Sequence, residues 1–280
     1  MINAIADLVR FKETKMLKRT ISAIIALPLL FLVLINGGLF LYIAAFALSM
    51  IGQFEFYKAF GKRHDTVVIL GYVMTVLWYM GLYFDLPKSY ETFIISLYLF
   101  SLLSHMVFSN KTEVLYEEMI GFIGFFYVSF TISHIILIAE YQRAFFLWYP
   151  FILAFSADTF AYLTGKLIGK RKLIPSVSPN KTIEGAVGGI LLCTILSGVY
   201  AYVVFPEFTP YAILLGLIGA PLSIIGDLIA SRIKRITKIK DFGKIMPGHG
   251  GVLDRFDSLI ITIPLVYYFI EIFNWVTNLI

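Results

Sequence analysis

Long apolar runs separated by short polar loops dominate the chain. Runs such as residues 21–34 and 211–225 are too apolar for one soluble core to cover, whereas a bilayer solvates them, and a spanning helix needs roughly 20 mostly apolar residues. The pattern predicts an all-α polytopic membrane protein with about nine transmembrane helices. The predicted spans are residues 20–36, 38–57, 66–84, 91–108, 119–138, 144–165, 183–205, 210–230 and 257–279.

The polar segments divide the chain into three predicted parts. Residues 1–19 mix apolar positions with charges, which is typical of an amphipathic helix at a membrane interface. Residues 20–143 hold the first five predicted helices and have short loops. Residues 144–280 hold the last four, with long basic loops rich in Gly and Pro. Acids also occur within or beside these last spans, so we expect the chemistry there.

The distribution of basic residues predicts the orientation. With a cytoplasmic N-terminus, all of the 23 Lys and Arg residues except Lys88 and Arg143 fall on the cytoplasmic side, as the positive-inside rule requires. Hydrophobic residues make up 59% of the chain and charged residues 15%, which excludes an ordinary soluble domain. The net charge of +5 therefore indicates loops that face anionic lipid in the cytoplasmic (inner) membrane, and no nucleic-acid partner is expected.

Acids inside apolar segments are the first candidates for chemistry. A carboxylate in a bilayer costs about 2.5–3.5 kcal/mol, so such a group is expected to face a cavity and to have a partner. Four acids lie within or at the ends of predicted spans: Asp158, Glu184, Asp227 and Asp257. The alternative is an acid at a helix end that pairs with a loop lysine. Glu55 and Glu271 are isolated, and a structural role at the interface is expected for them.

The segment 247–258 combines glycines, a histidine and two acids. Gly248, Gly250 and Gly251 flank His249, and such a turn can present successive backbone N–H groups to an anion. Asp254 and Asp257 are three residues apart at the predicted start of the last helix, so they are expected to share a face. Their mutual repulsion favours a bound divalent cation, Mg²⁺ or Mn²⁺. The alternative is helix capping, with Arg255 as the counter-ion.

Asp227 is expected level with this pair because it lies late in the preceding antiparallel helix. Lys234 and Arg235 follow it, then Lys240 and Asp241, and such a basic segment suits a polyphosphate. The other basic loop, after the sixth predicted helix, carries Lys166, Lys172 and Lys181. There Ser178 or Thr182 is expected to cap the next helix, whose N-terminus then favours an anion. The glycine spacing and the preceding strand of a Walker-type loop are absent from the sequence.

Together these residues resemble the phosphatidate cytidylyltransferase family, also called CDP-diacylglycerol synthases. With φ for an apolar residue, the family signature is S-x-φ-K-R-x4-K-D-x-G, a short gap, then P-G-H-G-G-φ-x-D-R-φ-D. Residues 231–257 match it at every fixed position. The family motifs D-T-x-A-Y, S-P-x-K-T-x-E-G and G-D-L are matched at 158–162, 178–185 and 226–228. The resemblance is strong over residues 150–260, and the first half shares only its hydrophobicity.

The resemblance implies that CTP and phosphatidate react to give CDP-diacylglycerol and pyrophosphate, with Mg²⁺ as cofactor and Mn²⁺ or a second cation as further expectations. It implies metal ligands at Asp227, Asp254 and Asp257, and a homodimer. It places Lys234, Arg235, Lys240 and Arg255 on phosphates, with Asp241 beside them, and Lys166, Lys172 and Lys181 on a second phosphate group. Asp158 and Glu184 are expected to orient these lysines or to bind metal. His249 is expected to contact phosphate or to protonate pyrophosphate, with a turn-stabilising hydrogen bond as the alternative. Further substrate-binding positions are Ser178, Thr182, Ser231, Gly248, Gly250 and Gly251.

Two other functions are compatible with parts of this pattern. A CTP-dependent polyprenol or dolichol kinase of the same superfamily would transfer the γ-phosphoryl group and release CDP, but the full signature favours cytidylyl transfer. A transporter also has intramembrane acids and broken helices. Transporters commonly show paired inverted repeats, whereas here the polar motifs cluster on one predicted face.

Overall fold

The fold is described from a computed structural model that covers residues 24, 26–62, 65–141, 144–246, 248 and 250–277. The predicted amphipathic segment 1–19 lies outside these residues. The helices are α1 (Ala26–Asn36), α2 (Gly38–Ala59), α3 (Thr66–Tyr83), α4 (Lys88–Phe108), α5 (Val114–Gly124), α6 (Thr131–Glu140), α7 (Tyr149–Ile168), α8 (Ile183–Val204), α9 (Thr209–Ile236), α10 (Leu253–Phe256) and α11 (Leu259–Thr277). Two short strands, β1 (Lys172–Ile174) and β2 (Ser178–Thr182), lie between α7 and α8.

The prediction of an all-α polytopic membrane protein is confirmed. Within the described part of the chain, eight helical segments are long and apolar enough to cross a membrane. They match the second to the ninth predicted spans, and large apolar side chains such as Leu191 and Ile195 are exposed on their surfaces. Of the first predicted span, 20–36, the structure describes an apolar helix from residue 26, which is α1.

Two local features were absent from the prediction. The fifth span is one continuous helix, Val114–Glu140, but its middle, Phe125–Phe130, is π-helical. The basic loop before α8 is a small antiparallel hairpin in which Lys172 pairs with Thr182 and Ile174 pairs with Ser178. The hairpin fixes the direction in which Lys181 leaves the backbone, so it matters for the site described below.

The helices form two groups that share one core. Helices α7, α8, α9 and α11 pack together, while α2 to α6 form the other group, and α6 joins them by packing on both α2 and α11. Side-chain hydrogen bonds link the helices of the second group. Buried Thr75 donates to Gln53 (2.9 Å) and to Ser129 (3.0 Å). Such bonds satisfy polar groups that neither lipid nor an apolar core could satisfy.

Helices α7 and α8 approach closely because α8 presents small residues. A Cβ added at Gly189 would lie 2.8 Å from the carbonyl oxygen of Ala157, and one at Gly185 would lie 2.6 Å from that of Ala161. Small residues permit this kind of contact between membrane helices. The α8 glycines therefore serve packing within the chain, and this contact brings the start of α8 next to the acids of α7.

The last predicted helix is interrupted at its start. The four-residue helix α10 ends at Phe256, and α11 begins at Leu259. Asp254 therefore lies in α10, whereas Asp257 lies in the turn between the two helices. Asp257 nevertheless keeps helical backbone angles (φ −53°, ψ −47°). Both aspartates line the same cavity, although their hydrogen-bond partners differ.

Candidate active site

Three carboxylates from three separate segments lie together, and one lysine contacts two of them. Lys181, at the end of β2, places its Nζ 2.5 Å from Oδ2 of Asp227 on α9 and 3.6 Å from Oδ1 of Asp158 on α7. Asp257 is the third acid, and Asp227 is close enough for a side-chain hydrogen bond with it. Ser258 ties the group together, because its hydroxyl donates to Asp158 (3.2 Å) and its N–H to Asp257 (2.8 Å).

The pKa of Asp257 reflects this crowding. Burial is the largest cause, and the charge of Asp227 is the next, and together they raise the pKa of Asp257 to about 7. The helices are close enough here that a Cβ at Gly226 would lie 2.9 Å from the carbonyl oxygen of Asp257. The cluster holds three acids and one lysine, which contacts Asp158 and Asp227, so it has excess negative charge that a cation would offset.

The donors present fit a hard divalent cation. Asp227 and Asp257 offer adjacent carboxylate oxygens, which Mg²⁺ prefers, and Mg²⁺ is commonly held by one or two carboxylates plus water and phosphate oxygens. No group of three His, Cys, Asp or Glu side chains within the described part of the chain is placed to enclose a metal ion. The site thus fits a cation that completes its coordination with substrate and water.

Asp254 has different contacts. Its Oδ2 accepts hydrogen bonds from the backbone N–H of Phe242 (2.8 Å) and of Gly251 (3.0 Å), and its Oδ1 lies 2.8 Å from Nζ of Lys234. The Lys234 ammonium also lies 5.5 Å from the centre of the Phe242 ring. Asp254 therefore links the beginning of the loop between α9 and α10, at Phe242, to its end, at Gly251. It also holds Lys234 beside the loop.

The hairpin contacts explain how the start of α8 is organised. The Thr182 hydroxyl accepts a hydrogen bond from Gly185 N (3.1 Å), so of the two candidate caps, Ser178 and Thr182, Thr182 caps the helix. Glu184 accepts hydrogen bonds from the backbone N–H of Lys170 (2.9 Å) and of Arg171 (3.1 Å). It thereby fixes the beginning of the basic loop to the helix that follows it.

A cavity of about 1170 Å³ is lined both by the acids and by many apolar side chains. Ten of the residues predicted from the sequence line it: Asp158, Lys166, Lys181, Thr182, Asp227, Lys234, Asp241, Asp254, Arg255 and Asp257. The apolar part of the lining, here called the apolar chamber, comes mainly from α1, α2 and α7 and includes Leu30, Val33, Leu48, Ile51 and Phe155. The cavity therefore offers polar and apolar surfaces to a single ligand or to two adjacent ones.

The other predicted residues lie outside the cavity lining. Arg235 donates from Nε to the carbonyl oxygen of Val177 (3.4 Å) at the hairpin turn. Gly248 and Gly250 have the positive φ angles expected of this turn, 78° and 92°. His249 and Pro247 lie outside the described residues. The predicted positions that do not line the cavity are Lys172, Ser178, Glu184, Ser231, Arg235, Lys240, Gly248, Gly250 and Gly251.

Sequence reasoning missed two contributors to the site. Ser258 donates hydrogen bonds to two of the acids. Its position next to Asp257 in the sequence could have indicated this role. Glu55 was assigned a structural role at the interface. In the structure its carboxylate reaches the loop before α10 and accepts a hydrogen bond from Leu253 N (2.9 Å). Its location, as a lone acid in an apolar segment, could have indicated a buried partner, because an unpaired acid there is costly.

Comparison with known proteins places these residues in a family. The model of the cytidylyltransferase family matches residues 17–273. The chain belongs to the cytidylyltransferase family. It is 31% identical over 272 residues to a phosphatidate cytidylyltransferase of Bacillus subtilis, covering 92% of this chain and 99% of that protein. It is also 34% identical over 261 residues to the enzyme of that name from Staphylococcus aureus, covering 89% and 96%.

The cytidylyltransferase match is wider than the sequence motifs indicated. Residues 150–260 carry all of the recognised motifs, yet the family model begins at residue 17. The first half is therefore part of the family's shared architecture and not an unrelated membrane anchor. The structure gives a physical reason, since α1 and α2 form much of the apolar chamber and α2 supplies Glu55.

Proposed function

We propose that this chain is a phosphatidate cytidylyltransferase, which converts CTP and phosphatidate to CDP-diacylglycerol and pyrophosphate. The observation that carries the proposal is the composition of the cavity, in which an apolar chamber leads directly to a cluster of acids and lysines. A lipid phosphate needs both surfaces, because its chains require an apolar environment and its headgroup requires cations. The relatives named phosphatidate cytidylyltransferase support the same substrate pair.

The polar part of the cavity is suited to two phosphate groups. Its basic residues come from four elements: Lys166 from α7, Lys181 from β2, Lys234 from α9 and Arg255 from α10. Positive groups from separate elements can hold the CTP triphosphate and the lipid phosphate next to each other. Holding two reactants in this way supplies much of the rate enhancement when no covalent intermediate is formed.

In the proposed reaction, an oxygen of the phosphatidate phosphate attacks the α-phosphorus of CTP. A new P–O bond forms, the bond from the α-phosphorus to the bridging oxygen breaks, and pyrophosphate leaves. The lipid phosphate needs little help from a base because its second pKa is about 6. The lysines and Arg255 stabilise the charge that develops on the phosphate oxygens.

Mg²⁺ is part of the proposal. Asp227 and Asp257 would hold the ion, and when bound it would neutralise phosphate charge and align the triphosphate. Asp254 serves the loop in this proposal, because two backbone N–H groups and Lys234 already contact its carboxylate. The Lys181 ammonium reduces the repulsion between Asp158 and Asp227, because it contacts both carboxylates. In the proposal it also contacts a phosphate group.

The proposed active site faces the cytoplasm of a multi-pass inner-membrane protein. Support comes from the basic loops around the site, since Lys and Arg concentrate on the cytoplasmic side of membrane proteins. A homodimer also belongs to the proposal. Gly185 and Gly189 pack against α7 within the chain, so the contact between protomers would use a different surface. Chemical cross-linking in membranes tests for the dimer.

The test is an assay of the detergent-solubilised protein with CTP labelled at either the α or the γ phosphate, phosphatidate and Mg²⁺. We expect the α label in the lipid fraction and release of pyrophosphate. Asp227→Asn should abolish the transfer, while Asp65→Asn, which changes an acid outside the cavity, should leave it unchanged. Transfer of the γ label to a lipid alcohol would instead identify a CTP-dependent lipid kinase, and chelation of Mg²⁺ without loss of activity would remove the cation from the proposal.

A further inference from the structure

Glu55 is a buried acid that joins the two helix groups. It lies on α2, in the half of the chain without recognised motifs, and only 1% of it is exposed. Its contacts are nearly two hundred residues away in the sequence, in the loop between α9 and α10. The Oε2 atom accepts a hydrogen bond from the backbone N–H of Leu253 at 2.9 Å. This N–H is in the first turn of α10, where a helix cannot provide its own acceptor.

Two glycines of the family signature make room for this carboxylate. A Cβ added at Gly243 or at Gly251 would overlap the Glu55 carboxylate, which is the nearest group to both positions. The glycines with positive φ in this loop are Gly248 and Gly250, so backbone conformation does not require glycine at 243 or 251. The physical reason for glycine at these two positions is the space that Glu55 occupies.

Helix α2 also packs against the side chain of Leu253 beside this hydrogen bond. A Cβ at Gly52, one turn before Glu55, would lie 3.2 Å from Cδ2 of Leu253. The next residue along the loop is Asp254, whose carboxylate holds the N–H groups of Phe242 and Gly251. Glu55 and Asp254 thus fix the same loop from two sides, and the loop continues directly into Arg255 and Asp257.

We propose that Glu55 is a positioning residue for cytidylyl transfer: its carboxylate, inserted between Gly243 and Gly251 and bonded to Leu253 N, holds the signature loop in the geometry that places Arg255 and Asp257 at the cavity. The inference rests on the proposed function. It assigns a specific task to the first half of the chain, which is to fix the active-site loop from the opposite helix group.

According to the proposal, the length of the side chain at position 55 matters more than its charge. Glu55→Gln keeps the length and an oxygen acceptor for Leu253 N–H. The bond to a neutral oxygen is weaker, but the loop keeps its position, so kcat should stay within roughly threefold. Glu55→Asp keeps the charge but is one methylene too short, and Glu55→Ala removes the group. Both should lower kcat by roughly 10- to 100-fold, because small displacements of catalytic groups are costly. The KM for CTP should change less than kcat.

Glu118→Ala is the matched control, because Glu118 is another buried acid of the first half and its partner is His105, away from the loop. It should retain wild-type kcat. Activity in the Glu55→Gln variant as low as in Glu55→Ala would overturn the proposal, as would full activity in Glu55→Ala.

Hydrogen exchange of the loop gives a readout that does not depend on the reaction. The amides of residues 242–246 and 250–253 should exchange faster in Glu55→Ala than in the wild type, with Glu55→Gln close to the wild type. If the wild-type protein transfers no cytidylyl group, the proposed function fails and this measurement still decides the role of Glu55. Equal exchange in all three proteins would overturn it.

Discussion

The two aspartates of the signature, Asp254 and Asp257, should respond to the same substitution in opposite ways. Each Asp→Asn change removes one carboxylate and keeps the shape of the side chain. Asp254 accepts two backbone hydrogen bonds and contacts Lys234, so its charge is compensated. Asp257 shares its site with Asp227, and this neighbouring charge opposes its ionisation. Asparagine is therefore expected to destabilise the protein at 254 and not at 257.

The magnitude at Asp254 follows from its burial. Its side chain is 3% exposed and that of Lys234 is 15% exposed, so solvent screens the pair little. Removing one partner of a buried pair costs about 3–5 kcal/mol, because the other charge is left buried alone. The asparagine NH₂ group would also face an N–H group or the ammonium, and it cannot accept a hydrogen bond from either. At about 2–4 °C per kcal/mol, the apparent Tm should fall by on the order of 10 °C.

At Asp257 the expected effect on stability has the opposite sign. Asparagine removes a repulsive charge from a half-buried pair and keeps an oxygen that can accept from Ser258 N. The apparent Tm should therefore stay the same or rise. Cytidylyl transfer should nevertheless be lost, because Asp257 is one of the two proposed cation ligands.

The assay is thermal unfolding of both variants and the wild type in detergent, in buffer containing a chelator so that cation binding does not contribute. Activity is measured in parallel with added Mg²⁺. A stable Asp254→Asn variant together with a strongly destabilised Asp257→Asn variant would falsify this division of roles. Equal destabilisation of both would show that the two carboxylates act as one structural unit.

The remaining predictions concern the hairpin and the loop. Lys181→Met should lower activity roughly 100-fold by removing a charge from the phosphate site, whereas Lys111→Met should not change it; equal activity of the two variants would contradict this. Thr182→Ala should lower the apparent Tm by a few degrees, since loss of an N-cap costs about 1 kcal/mol, and Thr182→Ser should restore it. Gly251→Ala should impair activity because its methyl group overlaps Glu55, and adding Glu55→Ala should cause less further loss than the separate effects predict. Independent, multiplicative losses in this double-mutant cycle would argue against the overlap.

The predicted site was most accurate where the sequence motifs are local. Thr182 is a helix cap, as its position before α8 indicated, because capping depends on residues three positions apart. The pairing of Asp227 with Asp257 also followed from two adjacent antiparallel helices. Asp254 and Asp257, which were expected to share a face, line the same cavity. They contact different groups, because Asp254 accepts hydrogen bonds from the loop and Asp257 lies beside Asp227.

The role of Glu55 could not be predicted by the same reasoning. Its isolated position in an apolar segment indicated that it needs a partner, but nothing near it in the sequence provides one. The partner is a backbone N–H of a loop far along the chain. The sequence does not show whether glycine is needed at positions 243 and 251 for backbone conformation or for lack of space. The position of the Glu55 carboxylate shows that the reason is space.

By itself, the sequence determined that this is an all-α membrane protein of the cytidylyltransferase family and where most of its spans lie. These properties depend on hydrophobic runs of helical length and on short motifs, and both are local along the chain. The tertiary structure decided which acids lie together, which acid contacts the loop between α9 and α10, and which helices form the apolar chamber. Those outcomes depend on the directions of side chains from helices that meet only after folding, so no local spacing contains them.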